Sequence, residues 1–92
     1  MNETHFKGIV VSGHKESAVE VPFDPAHEWH ATAQQIRPGR RGFAVHAQVN
    51  GSAFDSFVVG RSKKFWLLLP ASVEKQAAIR TGDEVAVTLH PA

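Results

Sequence analysis

The chain has 92 residues, no cysteine, ten Lys and Arg against nine Asp and Glu, and a formal net charge of +1. That length makes one domain, residues 1–92, with a small core, since so short a chain buries only about 60% of its unfolded surface. The composition excludes disulfide staples and thiolate metal sites, and no apolar run approaches the roughly 20 residues of a membrane span, so the expected location is the cytoplasm, off the membrane.

Thr4–Ser12 reads as a first strand, rich in Ile and Val and interrupted by Gly8. Gly13–Ser17 is a polar turn carrying His14, Lys15 and Glu16. Ala18–Phe23 is a second strand with Val19, Val21 and Phe23 on one face, and the two strands form a hairpin. Asp24-Pro25 starts a helix: the Asp24 carboxylate accepts from the first free amides, and Pro25 fits the first helical position. Ala26, Trp29, Ala33 and Ile36 make one apolar stripe, which predicts a helix running to Ile36, where Arg37 precedes Pro38 and is pushed out of helical geometry.

Pro38–Arg41 is then a loop, and Gly42–Asn50 a third strand. Asn50-Gly51 is the strongest local signal, the favoured pair for a two-residue type I′ turn. It sets Val49 against Ser52, Ala47 against Phe54, Val45 against Ser56 and, on the other face, His46 against Asp55. The fourth strand runs Ser52–Val59, and Gly60–Lys64 is a basic turn. Phe65–Leu69 is an uninterrupted apolar strand, expected to be buried on both faces, with Trp66 alternating away from Phe65, Leu67 and Leu69 and read as packing in the core. A short helix over Ser72–Arg80 presents Val73 and Ala77, Gly82 fits its left-handed cap, and Glu84–His90 alternates as the last strand.

These elements make a mainly β protein of six strands and two short helices. Closing the strands into a small barrel removes exposed edges. The expected core is Val19, Val21, Trp29, Val45, Val49, Phe54, Leu67, Leu69, Val85 and Val87.

Taken in order, FKG at 6–8, VPFDP at 21–25, an arginine at 40 or 41 before an apolar strand, VNGSAF at 49–54 with Ser56 after it, LLLP at 67–70 and TGDEVAV at 81–87 carry a resemblance. The chain resembles, over nearly its whole length, the bacterial domain of unknown function 1905, also called YdeI/OmpD-associated. The closing strand–Pro–helix–Gly-Asp–strand is similar to the swapped-hairpin domains of the AbrB and MazE type. The resemblance implies a double-split β-barrel; it brings no settled residue role or cofactor.

Three sets of residues bear on function. The segment from Arg37 to Lys64 holds Arg37, Arg40, Arg41, Arg61, Lys63 and Lys64 against the single acid Asp55, net +5, while the rest of the chain is net −4. Such a patch is a candidate nucleic-acid or anion footprint, or two basic, solvated loops. His27 and His30, three apart on the first helix with Glu28 beside them, are weak candidates for a metal, since spacing places no further ligand. His46 across from Asp55 has the pairing of an oriented general base, with Ser52, Ser56 and Ser62 as the available hydroxyls, yet none sits in a nucleophile motif. A cross-strand ion pair accounts for the two residues as well.

The expectation is therefore a non-catalytic binding or interaction domain, with no cofactor and an unspecified ligand, that self-associates as a homodimer. A nucleic-acid-binding regulator using residues 37–64 is the first alternative. A small histidine-dependent enzyme or metal-binding protein is the second.

Overall fold

The computed structural model describes residues 3–12 and 16–92, with Arg37 described through its backbone alone. Of the predicted turn, Gly13, His14 and Lys15 lie outside the described residues, and Ser17 already belongs to a strand. The elements, in order, are β1 (Thr4–Ser12), β2 (Ser17–Val21), α1 (Pro25–Trp29), β3 (Gln34–Arg37), β4 (Arg40–Val49), β5 (Ser52–Arg61), β6 (Lys64–Leu69), α2 (Ala71–Gln76) and β7 (Glu84–Pro91).

Six strands close a barrel in the order β4-β5-β6-β2-β1-β7, with β7 pairing back onto β4, and every pairing is antiparallel. The type I′ turn is as the sequence predicts: Asn50 and Gly51 both have positive φ (49° and 87°), and Val49↔Ser52 through His46↔Asp55 pair in the expected register. Asn50 also closes the barrel. Its backbone N–H donates to the Ala86 carbonyl at 3.0 Å, and its Oδ1 accepts from the Ala86 N–H at 2.9 Å.

Inward alternation builds the core. Val45 and Val49 on β4, Val58 on β5, Leu67 and Leu69 on β6, Val19 on β2, Val10 on β1 and Leu89 on β7 are all fully buried. The expected core residues lie there, except that Phe54 is only partly buried. Phe65–Leu69 is less enclosed than its composition suggests: Trp66 and Leu68 on its outer side are half-buried. Trp66 lies outside the core cluster and donates its indole N–H to the Arg61 carbonyl at 3.3 Å. No helix of the described residues is long and apolar enough to cross a membrane.

The first helix is shorter than predicted. Asp24 caps it through Ala26 N–H at 2.9 Å and Pro25 opens it, but it ends at Trp29 because His30 turns left-handed at φ 54°. Trp29 then packs edge-on against Phe23, with ring centroids 5.1 Å apart, and donates its indole N–H to Thr4 Oγ1 at 3.4 Å. Of the rest of the supposed stripe, Ala33 lies in irregular chain and Ile36 in β3, a seventh strand outside the barrel. Pairing with β4 captures Gln34–Arg37, and a bulge between Gln35 and Arg37 turns Ile36 onto Gly42. A helical period was present there, but the free edge of β4 offered a better partner. As a result β4 divides one edge between two strands: residues 40–42 pair with β3, and residues 45–49 with β7.

The second helix spans Ala71–Gln76, not Ser72–Arg80. Its left-handed cap is Ala78 (φ 54°), and Gly82 belongs to a later turn. Ala78 N–H donates to the Lys75 carbonyl and Ile79 N–H to the Glu74 carbonyl, which is the Schellman pattern, and Ile79 is buried behind it. A side chain in this backbone region is strained by about 1–2 kcal/mol. Ala78→Gly is therefore expected to raise the unfolding free energy by roughly 0.5–1 kcal/mol once the entropy cost of glycine is set against it, measured by urea denaturation. A loss of stability would mean that the cap is not strained.

Candidate functional site

Strict alternation on a barrel sends every second residue outward. On β5, β4, β7 and β1 the outward positions form rows across four strands. Asp55 pairs with His46, and His46 pairs with His90. The Thr4↔Leu89 register then sets Glu3 beside His90. The next row is Ala53, Gln48, Thr88 and His5, joined by Gln48↔Ala53, Gln48↔Thr88 and His5↔Thr88. Residues from both ends of the chain and from its middle thus meet on one face. They line a half-open hollow of about 400 Å³, open solvent included, whose walls are Glu3, His46, Gln48, Ala53, Asp55, Thr88 and His90 with parts of Ala47 and Phe54.

The hydrogen bonds within this face are local. Asp55 Oδ1 lies 2.5 Å from His46 Nδ1. An ionised carboxylate only accepts, so Nδ1 is the donor of this bond, and a neutral ring so placed carries its lone pair on Nε2. His90 lies against His46 with ring centroids 5.0 Å apart and planes at 43°. Beyond it, Glu3 Oε1 accepts from His5 Nε2 at 3.1 Å, and His5 Nδ1 lies 2.9 Å from Thr88 Oγ1.

Glu3, His5 and Thr88 follow the order acid, imidazole, hydroxyl of acyl-transfer triads. Their setting is unlike one. His5 and Glu3 side chains are 68% and 52% exposed, so water screens both and holds neither ring nor carboxylate rigidly.

The predicted site residues fall in three places. His46 and Asp55 pair as expected, but the predicted serines do not join them: Ser52 and Ser56 alternate to the other face of β5, Ser56 donating to the Leu68 carbonyl at 2.7 Å, and Ser62 is in the turn at the far end of the strand. His27 lies on α1 and His30 at its left-handed end, both exposed. Among the described residues, no three His, Asp or Glu side chains stand as a ready metal-ligand set.

The cations divide between two hairpin tips. Arg40 and Arg41 lie at the β3–β4 turn, which also carries the backbone of Arg37; Arg61, Lys63 and Lys64 lie at the β5–β6 turn. The β4–β5 ladder ends at Gly42↔Val59, so Arg40 and Arg41 pair with β3 and not with the end of β5. Arg40 is 3.8 Å from Glu16, and Lys64 is 3.8 Å from Glu20. Arg41 donates to the Ala33 carbonyl at 3.1 Å.

What sequence reasoning missed is the joining of His5, Thr88 and His90 to His46. Only the β4–β7 and β1–β7 registers bring them together, and those depend on closure of the barrel.

A family model described as Domain of unknown function (DUF1905) matches residues 6–89 of the chain. No curated protein matches it.

Proposed function

The chain belongs to the DUF1905 family, and from that premise we propose that it is a non-catalytic binding domain whose contact surface is the outer face of β5, β4, β7 and β1. The observation that supports this reading is the convergence of Glu3, His46, Asp55 and His90 around one hollow. None of these side chains is buried, so the core does not need them.

The hollow is rich in acceptors. It offers two carboxylates and the His46 imidazole, and among the described residues no Lys or Arg lines it. Its complement is a donor-rich, cationic group, an amine or a guanidinium, carried by a small molecule or by a partner protein. A nucleic-acid backbone has the opposite chemistry. The kinship to AbrB- and MazE-type barrels suggested by the sequence would favour DNA contacts through loop cations. Here those cations sit on two hairpin tips at the Gly42↔Val59 end of the β4–β5 ladder, and Arg40 and Lys64 are already near acids of their own chain. A homodimer remains compatible with this reading if one copy offers the cation to the other.

Backbone amide spectra of the ¹⁵N-labelled chain, titrated with N-acetyl-arginine amide, N-acetyl-lysine amide and N-acetyl-glutamate amide, test the proposal. The arginine and lysine probes are expected to shift residues 46, 48, 53, 55, 88 and 90, and Asp55→Asn to weaken those shifts. Equal response to the glutamate probe, or shifts confined to residues 37–41 and 61–64, would count against it. The chain is also expected to hydrolyse p-nitrophenyl acetate no faster than equimolar free imidazole. A faster rate that disappears in Thr88→Val would make the Glu3–His5–Thr88 relay catalytic.

A further inference from the structure

His46 and His90 are direct cross-strand partners on β4 and β7. Side chains so placed start from Cβ atoms about 4.5–5.5 Å apart. Their rings stand 5.0 Å apart, centroid to centroid, tilted by 43°. Two imidazoles in that relation can turn one nitrogen each toward a common ion at the roughly 2.0–2.1 Å that Zn–N bonds require. Asp55 adds the second element. It accepts from Nδ1–H of His46 at 2.5 Å and leaves Nε2 for the ion, the arrangement carboxylates take behind metal-bound histidines, here with the His46 side chain 48% and the Asp55 side chain 81% exposed.

We propose that His46 and His90 chelate a divalent late transition-metal ion of the zinc class, with Asp55 as the positioning residue behind His46. This rests on the reading that the same hollow is the contact surface. Imidazole nitrogen suits zinc, copper and nickel, whereas calcium and magnesium call for a shell of oxygens that this pair does not supply. With two protein ligands the ion keeps open positions, filled by water. His5 is outside the set, because it stands in the next row, opposite Thr88, and not beside His46 or His90. His27 and His30 are outside it too, because the chain turns left-handed at His30 and carries it out of the helical spacing.

The test is calorimetric titration of the untagged, chelator-stripped chain with zinc chloride, repeated with cobalt chloride so that the visible spectrum reports the ligand field. One ion per chain is expected. His46→Gln and His90→Gln should each abolish binding, and Asp55→Asn should weaken it about 10–100-fold. His5→Gln, His27→Gln and His30→Gln should leave it unchanged. Circular dichroism checks that each variant is folded, and all of these side chains are exposed. Absence of zinc binding in the parent chain, or binding that survives the double substitution of His46 and His90, overturns the proposal. If zinc fails while the arginine probe still maps to the hollow, the metal inference falls alone; if both fail, the contact surface falls with it.

Discussion

Leu67→Ala is expected to cost about 2–5 kcal/mol, more than any change on the outer face of the barrel. Leu67 is fully buried in the middle of β6. Its cross-strand partners are Val58 on one side and Val19 on the other, and both are fully buried as well. Truncation there opens a hole between three strands that are hydrogen-bonded on both edges and cannot close on it. The loss is large against the roughly 5–15 kcal/mol that holds a domain of this kind together. Urea denaturation should therefore show a much lower midpoint with an unchanged slope. Leu68→Ala is the control, because Leu68 is on the outer side and only half-buried. Similar losses for both substitutions would show that the row Val58–Leu67–Val19 is not the centre of the core.

Gly42→Val is expected to be the second most damaging change, at about 1–3 kcal/mol. A Cβ at this position would stand 2.7 Å from Ile36 Cδ1, 3.0 Å from the Val58 carbonyl oxygen and 3.1 Å from Val59 Cγ1. The Ile36 contact involves the end of a flexible side chain and can be relieved. The Val58 contact is with backbone of the neighbouring strand, so relieving it means prising β4 from β5. Gly42→Ala should cost less than valine, since it adds the Cβ without the branches. Adding Ile36→Ala to Gly42→Val should recover only part of the loss. A double-mutant cycle in urea measures that coupling. Full recovery would place the strain entirely in β3, and a neutral Gly42→Val would mean that the two strands part freely at this point.

Both arguments depend on registers that were legible in the sequence to different degrees. The β4–β5 register was readable because Asn50-Gly51 admits essentially one turn, and that turn dictates every pair above it, His46↔Asp55 included. The start of α1 was readable because Asp24-Pro25 acts within one turn of chain. Its end was not. Ala33 and Ile36 fit a helical stripe, and no local feature announces that β4 carries a vacant edge to which Gln34–Arg37 can pair. The end of α2 was misread for a related reason: Gly82 is the usual residue for a left-handed cap, but buried Ile79 draws the cap back to Ala78. The site was half legible. His46 and Asp55 are nine residues apart across a recognisable turn. His90 and His5 reach the same face only through β7, whose place between β4 and β1 is a property of closure and leaves no trace in the neighbouring residues.

The position of β7 also bears on how the chain is made. Thr4–Ile9, the greater part of β1, has its partner in Glu84–Leu89, while only Val10–Ser12 pair with nearby β2. During synthesis the first strand to leave the ribosome must wait for the last. The β4–β5–β6 meander, with its short turns, can form in the meantime, and its unclosed edges are the surfaces a chaperone would meet. A topology whose closing contacts span almost the whole chain has a high contact order and folds slowly for its size. Closure of the barrel by β7 is therefore the last step in folding of this domain, and the hollow that joins His46 to His90 comes into being only at that step.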